Sequence, residues 1–121
     1  MLHFQLLSRE HDRDGFFCGE PALDAYLRRQ AGQDAKRGFA TAIVCTDTEE
    51  PRRVVGYYTL SMSAIPLDRL EAQATRSMPR YDVIPAILLG RLALDKCRQG
   101  QGIGRFLVLD ALRRSFVNEL A

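Results

Sequence analysis

The sequence predicts a single mixed α/β domain, and three observations carry that prediction. Segments of strand composition and segments of helical spacing follow one another as strand, helix, strand, strand, strand, helix. The 121 residues hold one domain with a real core and no more. An apolar run at 86–94 leads through Gln99-Gly100-Gln101-Gly102-Ile103-Gly104 directly into a helical pattern, a strand–turn–helix junction typical of α/β chains.

Residues 3–8 (HFQLLS) are short and apolar and read as a first strand. The stretch 9–20 carries the turn residues Asp12, Asp14, Gly15 and Gly19. Pro21 suits the first position of a helix, after which Leu23, Tyr26, Leu27 and Ala31 recur at helical spacing. Asp24 and Arg28, four apart, are placed to pair across one turn. Gly32 weakens this helix and Gly38 ends it, and Arg28, Arg29, Lys36 and Arg37 give it a basic, solvated face. Residues 39–46 and 54–65 have strand composition, joined by the polar, Pro51-containing hairpin connection 47–53. Gly56 marks a bulge or a close backbone approach. Tyr57 and Tyr58 point to opposite faces, each as a core tyrosine.

Residues 66–85 break the pattern. A short helix fits 67–74, while Ser77-Met78-Pro79-Arg80 and Ile84-Pro85 demand extended or turn backbone. The strand 86–96 is apolar on both faces, as expected of a central strand covered on both sides. The last helix, 102–120, offers Ile103, Phe106, Leu107, Leu112 and Phe116 as its buried face, leaving Arg105, Asp110, Arg113 and Arg114 outside.

The net charge of +2 supports no bulk attraction to nucleic acid. Its distribution says slightly more. From Arg91 onward six basic residues (Arg91, Lys96, Arg98, Arg105, Arg113, Arg114) face only Asp95, Asp110 and Glu119, which suits an anion near the turn or an ordinary solvated helix face. Cys18, Cys45 and Cys97 show no C-x-x-C spacing and are accompanied only by His3 and His11, so free thiols and no metal are expected. Neither a signal-peptide pattern nor an apolar run near ~18 residues is present, so the expected location is the cytoplasm, with no membrane partner.

Strand end, glycine-rich turn and helix N-terminus together form an anion-binding device. The turn's N–H groups lack helical partners and the helix dipole adds partial positive charge. Glycine at 100, 102 and 104 lets the backbone take positive φ and lets a phosphate approach closely. Spacing separates three such devices. A P-loop fails, because the positions of its second Gly and its Lys are Arg105 and Phe106. The dinucleotide fingerprint needs glycine at 105 and an acid ~20 residues further on, and the chain offers neither. The pattern Q/R-x-x-G-x-G/A is filled by Gln99, Gly102 and Gly104.

In this context the turn resembles the pyrophosphate loop of the GNAT acyl-CoA-dependent N-acetyltransferases. The resemblance extends along the chain. Phe17-Cys18-Gly19-Glu20-Pro21-Ala22-Leu23-Asp24-Ala25-Tyr26-Leu27 is similar to the F-x-C-G-x-x-x-L-x-x-aromatic-L segment of one GNAT branch, and Val55-Gly56-Tyr57-Tyr58-Thr59-Leu60, Met78-Pro79 and Leu89-Gly90-Arg91-Leu92-Ala93 resemble it too. Members of that branch are toxins of bacterial toxin–antitoxin pairs. They acetylate the amino group of aminoacyl-tRNA, which stops translation, and a ribbon–helix–helix antitoxin neutralises them.

The resemblance implies a GNAT acyl-CoA N-acyltransferase fold, with 1–121 as one partial domain incomplete at its C-terminus. Acetyl-CoA is the implied cosubstrate. Leu92, Ala93 and Leu94 would offer backbone hydrogen bonds to the pantetheine arm and polarise the acetyl carbonyl. Gly100, Gln101, Gly102, Ile103 and Gly104 would hold the pyrophosphate, with Arg98, Gln99 and Arg105 at its edges. The amine attacks directly, so Cys97 is expected to pack rather than to act as a nucleophile. The family tyrosine that protonates the departing thiolate would lie beyond Ala121, and Tyr57, Tyr58 and Tyr81 do not match it. A full domain would add roughly 45 residues of strand, helix and strands. Without them the strand edge stays unpaired, which leads to an expected homodimer or domain-swapped assembly. Two other functions remain open: a GNAT acting on another amine, and a non-catalytic module that binds CoA or an antitoxin.

Overall fold

In the computed structural model, residues 1–66 and 83–116 are described. The elements run β1 (Leu2–Leu6), α1 (Pro21–Arg29), α2 (Ala31–Lys36), β2 (Thr41–Asp47), β3 (Gly56–Pro66), β4 (Val83–Leu94), a 3-10 turn (Lys96–Arg98) and α3 (Ile103–Phe116). The short helix expected at 67–74, the 77–80 turn, Tyr81 and the end of the last helix past Phe116 lie outside the described residues.

The strands form one sheet in the order β1-β2-β3-β4, antiparallel at every described pairing. The expected α/β domain is therefore observed, and its described sheet is antiparallel. Alternation along β2 and β3 sends Val44 and Tyr57 to one face and Ile43, Cys45 and Tyr58 to the other. On the first face α1 and α2 bring Tyr26, Leu27 and Ala31, joined by Phe16 and Cys18 from the preceding loop. On the second, α3 brings Ile103, Leu107 and Ala111, spaced four apart along a single stripe. Tyr57 and Tyr58 are both fully buried, as their alternation predicted.

Several local expectations give way to tertiary context. The helix expected to start at Pro21 and run through Ala31 is two helices, broken at Gln30 (φ −124°, ψ −31°), and Ala31 still reaches the core across the break. Asp24 does not pair with Arg28. It turns inward and accepts the Cys18 N–H at 3.0 Å, because the incoming loop leaves that donor without a strand or helix partner. The buried face of α3 is also narrower than its composition suggested. Phe106, Leu112 and Phe116 are exposed and Asp110 is buried, since only the Ile103–Leu107–Ala111 stripe meets the sheet.

Gly56 is a close approach, not a bulge: a Cβ there would sit 2.8 Å from Leu94 Cδ2 and 2.9 Å from the Ala93 carbonyl oxygen. The bulge lies on the facing strand. Thr59 pairs with Arg91 and Leu60 with Leu89, leaving Gly90 as the extra residue of β4. Among the described residues β4 is not a central strand covered on both sides. It closes the described sheet, its outer edge has no strand partner among the described residues, and Ile87, Leu88, Leu89 and Leu92 are exposed. No helix among the described residues is long and apolar enough to cross a membrane.

Candidate functional site

The turn between β4 and α3 is assembled by a chain of short-range bonds. Asp95 closes the strand, and its carboxylate accepts the Cys97 N–H at 3.1 Å, capping the 3-10 turn. Gln99 is extended, and Gly100 and Gly102 both adopt φ of +80°, a left-handed conformation that glycine takes without steric cost. Helix α3 begins at Ile103, and its first-turn N–H groups have no intrahelical acceptors. Nothing lies within 4 Å of the position a Gly100 Cβ would occupy, so this side of the turn is open to a ligand. Gly104, expected to share the positive φ, is instead a regular helical residue, 3.8 Å from Leu94 Cδ1 at its would-be Cβ. Its smallness brings α3 close to the end of β4; it does not shape the turn.

Gln99, expected at the edge of the anion, points the other way. Its side-chain amide donates to the Cys18 carbonyl at 2.8 Å and to the Leu94 carbonyl at 2.9 Å. Further bonds clamp the same two segments together: Phe17 N–H to Asp95 Oδ2 at 3.2 Å, and Lys96 N–H to the Phe17 carbonyl at 2.7 Å. Burial opposes the charge of Asp95, yet hydrogen bonds from the Cys97 thiol, the Cys97 N–H and the Phe17 N–H outweigh it and hold the carboxyl below its ordinary range. The loop that enters α1 is thus the floor on which the turn rests. Asp95 was counted in the sequence only as a charge. Its position two residues before Cys97, at the end of a strand, was the available capping signal.

The arginines divide. Arg98 reaches back to Asp47 at 3.6 Å and to the Gln101 amide oxygen at 3.4 Å, so it flanks the turn on the sheet side. Arg105 folds beside Gly102, where a Cβ would meet its Nη2 at 3.2 Å. Both stay at the rim of the turn. Ile103 is buried beneath it, and Gln101 is exposed above it. Along β4, Ala93 is buried against Tyr57, while Leu92 lies on the opposite face and is exposed. The backbone from Leu92 to Leu94 runs along the edge that has no strand partner among the described residues, between the Gly90 bulge and the glycine turn.

On the α1 side of that edge lies a small groove of about 320 Å³, lined by Leu23, Tyr26, Arg29, Gln30 and Arg91 among others. The Arg91 guanidinium carbon sits 3.6 Å from the centroid of the Tyr26 ring. This pairing had no signal at the level of spacing, because it joins positions 65 residues apart.

The Tyr57 and Tyr58 hydroxyls are committed elsewhere in the fold. Tyr57 Oη donates to the Leu23 carbonyl at 2.7 Å and Tyr58 Oη to Asp110 at 2.6 Å; burial pushes both phenols well above their ordinary range. Cys97 does not pack in the core as expected. It is exposed, and the hydrogen bond its thiol donates to Asp95 at 3.0 Å raises its pKa, which keeps it protonated and a poor nucleophile.

No protein-family model matches the chain. Among curated proteins it is 38% identical over 109 residues to a tRNA-acetylating toxin of Mycobacterium tuberculosis, an alignment covering 89% of this chain and 62% of that one. It is 29% identical over 104 residues to the probable toxin TacT of Sinorhizobium fredii, covering 86% of this chain and 57% of that one. The chain therefore spans about 60% of the length of these curated relatives. Among solved structures, AtaT complexed with acetyl-methionyl-tRNA superposes with a TM-score of 0.86 at 31% identity, covering all of this chain and 72% of that one. A mutant AtaT bound to acetyl-CoA and the C-terminus of the antitoxin AtaR gives 0.76 at 31% identity, covering 99% and 68%. Fold, turn and identity over nearly the whole chain agree: it belongs to the GNAT-fold acetyltransferase toxin family that includes AtaT.

Proposed function

We propose that the chain works as an acetyl-CoA-dependent N-acetyltransferase of the toxin type, transferring acetyl to the amino group of aminoacyl-tRNA and so blocking translation. One observation carries the reading. The edge of β4 between the Gly90 bulge and Leu94, unpaired among the described residues, runs directly into a turn opened by Gly100 and Gly102 at the N-terminus of α3. An extended arm hydrogen-bonds along such an edge as a further strand would, and a diphosphate suits unpaired N–H groups at a helix start.

In this reading Leu92, Ala93 and Leu94 hold the pantetheine arm through their backbone. The N–H groups of Gly100, Gln101, Gly102, Ile103 and Gly104 take the pyrophosphate, and Arg98 and Arg105 balance its charge. Gln99 keeps the turn open by bracing it from behind. Acetyl-CoA, when bound, supplies the activated thioester carbonyl, and strand N–H groups beside it orient and polarise that carbonyl. No catalytic proton donor is assigned among the described residues, because the buried Tyr57 and Tyr58 hydroxyls are committed to Leu23 and Asp110. The same reading brings a ribbon–helix–helix antitoxin as partner and the cytoplasm as location. It also brings a homodimer or domain-swapped assembly, supported by the exposed apolar side chains Phe106, Leu109, Leu112 and Phe116 on α3.

A second reading, a module that binds CoA without catalysis, is favoured by the lack of a free proton donor at the turn among the described residues. Calorimetry with CoA and transfer of labelled acetyl to charged tRNA, a polyamine and a peptide amine decide between them. Binding with transfer to charged tRNA is the expected result. Transfer to another amine alone reassigns the acceptor, and binding without transfer establishes the module. Failure to bind CoA overturns both readings.

A further inference from the structure

Outside the glycine turn, the described structure holds one juxtaposition that neither the fold nor the turn explains. Tyr26 is buried, its hydroxyl donates to Asp34 Oδ2 at 2.8 Å, and its ring lies nearly parallel to Tyr57 (13° between planes, centroids 6.4 Å apart). A ring fixed this firmly is covered by Arg91 at 3.6 Å, next to the bulged Gly90, with Arg29 lining the same groove. Neither arginine has a carboxylate within ion-pair distance among the described residues. A guanidinium lying over an aromatic ring, lining a groove and without a carboxylate partner among the described residues, is suited to receive a planar, electron-rich group flanked by negative charge.

We propose that Arg91, laid over Tyr26, is the stacking platform for the 3′-terminal purine of the acceptor RNA, and that Arg29 takes that nucleotide's phosphate. The inference rests on the aminoacyl-tRNA reading above and names the residues that would select a nucleotide-linked amine. Unpaired RNA ends are commonly read by stacking on arginine planes and aromatic rings. The groove volume of about 320 Å³ falls at the small end of ligand sites and suits a single nucleotide. Its position fits as well. Arg91 lies two residues from Ala93 on β4, about 7 Å at the ordinary strand rise, so an amine carried on the ribose of a stacked nucleotide reaches the acetyl-bearing edge.

The test uses a short single-stranded RNA ending in CC followed by 2-aminopurine, whose fluorescence falls when the base stacks. Binding is followed in parallel by the anisotropy of a 5′ dye. The wild-type chain is expected to bind and quench. Arg91→Lys keeps the charge but loses the plane, so it should abolish the quench and weaken binding about tenfold, within the range for one stacked base. Arg29→Gln should weaken binding while leaving the quench of the bound RNA intact. Thermal melts of both variants confirm folding, and the conservative lysine guards against collapse of the groove. RNA binding without quench in the wild type, or full quench in Arg91→Lys, overturns the platform while leaving the RNA reading standing. Loss of quench on adding excess CoA would assign the plane to the cofactor's adenine and also overturns it. Absence of any RNA binding, together with no acetyl transfer to charged tRNA, removes the acceptor reading itself.

Discussion

At the scale of single residues, two buried polar groups control how the fold answers to pH and substitution. Asp110 sits in the α3–sheet interface, where it accepts Tyr58 Oη at 2.6 Å, Arg114 Nε at 2.8 Å and Arg113 Nη2 at 3.3 Å. Burial works against its charge, but the bonds from Tyr58 and Arg114 prevail and hold its carboxyl below the ordinary range. Asp110→Ala strips the Tyr58 hydroxyl of its acceptor and should cost about 2–3 kcal/mol in a urea titration. His11 behaves in the opposite sense. Burial lowers its pKa; the ring accepts the Ser8 N–H at Nδ1 (3.0 Å), and its Nε2 lies 2.7 Å from the Gln5 side-chain amide. The unfolded chain therefore takes up the imidazole proton first. Stability is fully present above the ordinary value of 6.5 and falls as the pH drops below it. The Asp110 contribution stays until the carboxylate range is reached from above. A melting temperature that declines between pH 7 and 5.5, with an NMR titration of His11 midway below 6.5, is the expected pair of results.

At the scale of elements, the glycines say which contacts the strands and the turn require. Gly56→Ala would drive a methyl into Leu94 and the Ala93 carbonyl at under 3 Å, separating β3 from β4 where the free edge meets the turn. The expected cost is about 1–3 kcal/mol of stability. Gly102→Ala meets only the mobile end of Arg105, but must hold φ near +80°, which costs about 1–2 kcal/mol. In the proposed reading it should weaken CoA binding, measured by calorimetry, by about tenfold. Gln99→Ala separates the turn's shape from its charge. It removes two hydrogen bonds that tie the turn to the Cys18 loop and to β4, so CoA affinity should fall although no charge and no proposed ligand contact is deleted. Unchanged affinity in Gln99→Ala would show that the glycines alone shape the cradle.

At the scale of the whole molecule, the apolar surface is unevenly distributed. The α1–α2 face of the sheet is filled by Phe16, Tyr26, Leu27 and Tyr57, whereas α3 leaves Leu109, Leu112 and Phe116 half or more exposed, and β4 leaves Leu88 so. A strand edge with no partner among the described residues, beside exposed leucines, favours association with another chain. Light scattering at micromolar concentration should give a mass above that of one chain, and a strictly monomeric mass would count against the proposed assembly.

The sequence by itself determined the order of elements, the strand–turn–helix junction and, through Gln99, Gly102 and Gly104 in that context, the family. These are legible because periodicity, turn chemistry and motif spacing are local properties of a chain. The same local view narrowed Gly56 to a bulge or a close approach and sent Tyr57 and Tyr58 to opposite faces. It went wrong wherever a residue's role depends on a neighbour distant in sequence. Asp110, polar and on a helix, reads as solvated until Tyr58 supplies the donor that makes burial tolerable. Gln99 reads as a ligand residue until Cys18, 81 positions earlier, supplies the carbonyl it braces. Only the tertiary structure moved the bulge to Gly90, made β4 an edge among the described strands, and laid Arg91 over Tyr26. The physical reason is common to all three: register and packing between separate segments are fixed by the summed burial of many side chains, a quantity no short window of sequence contains.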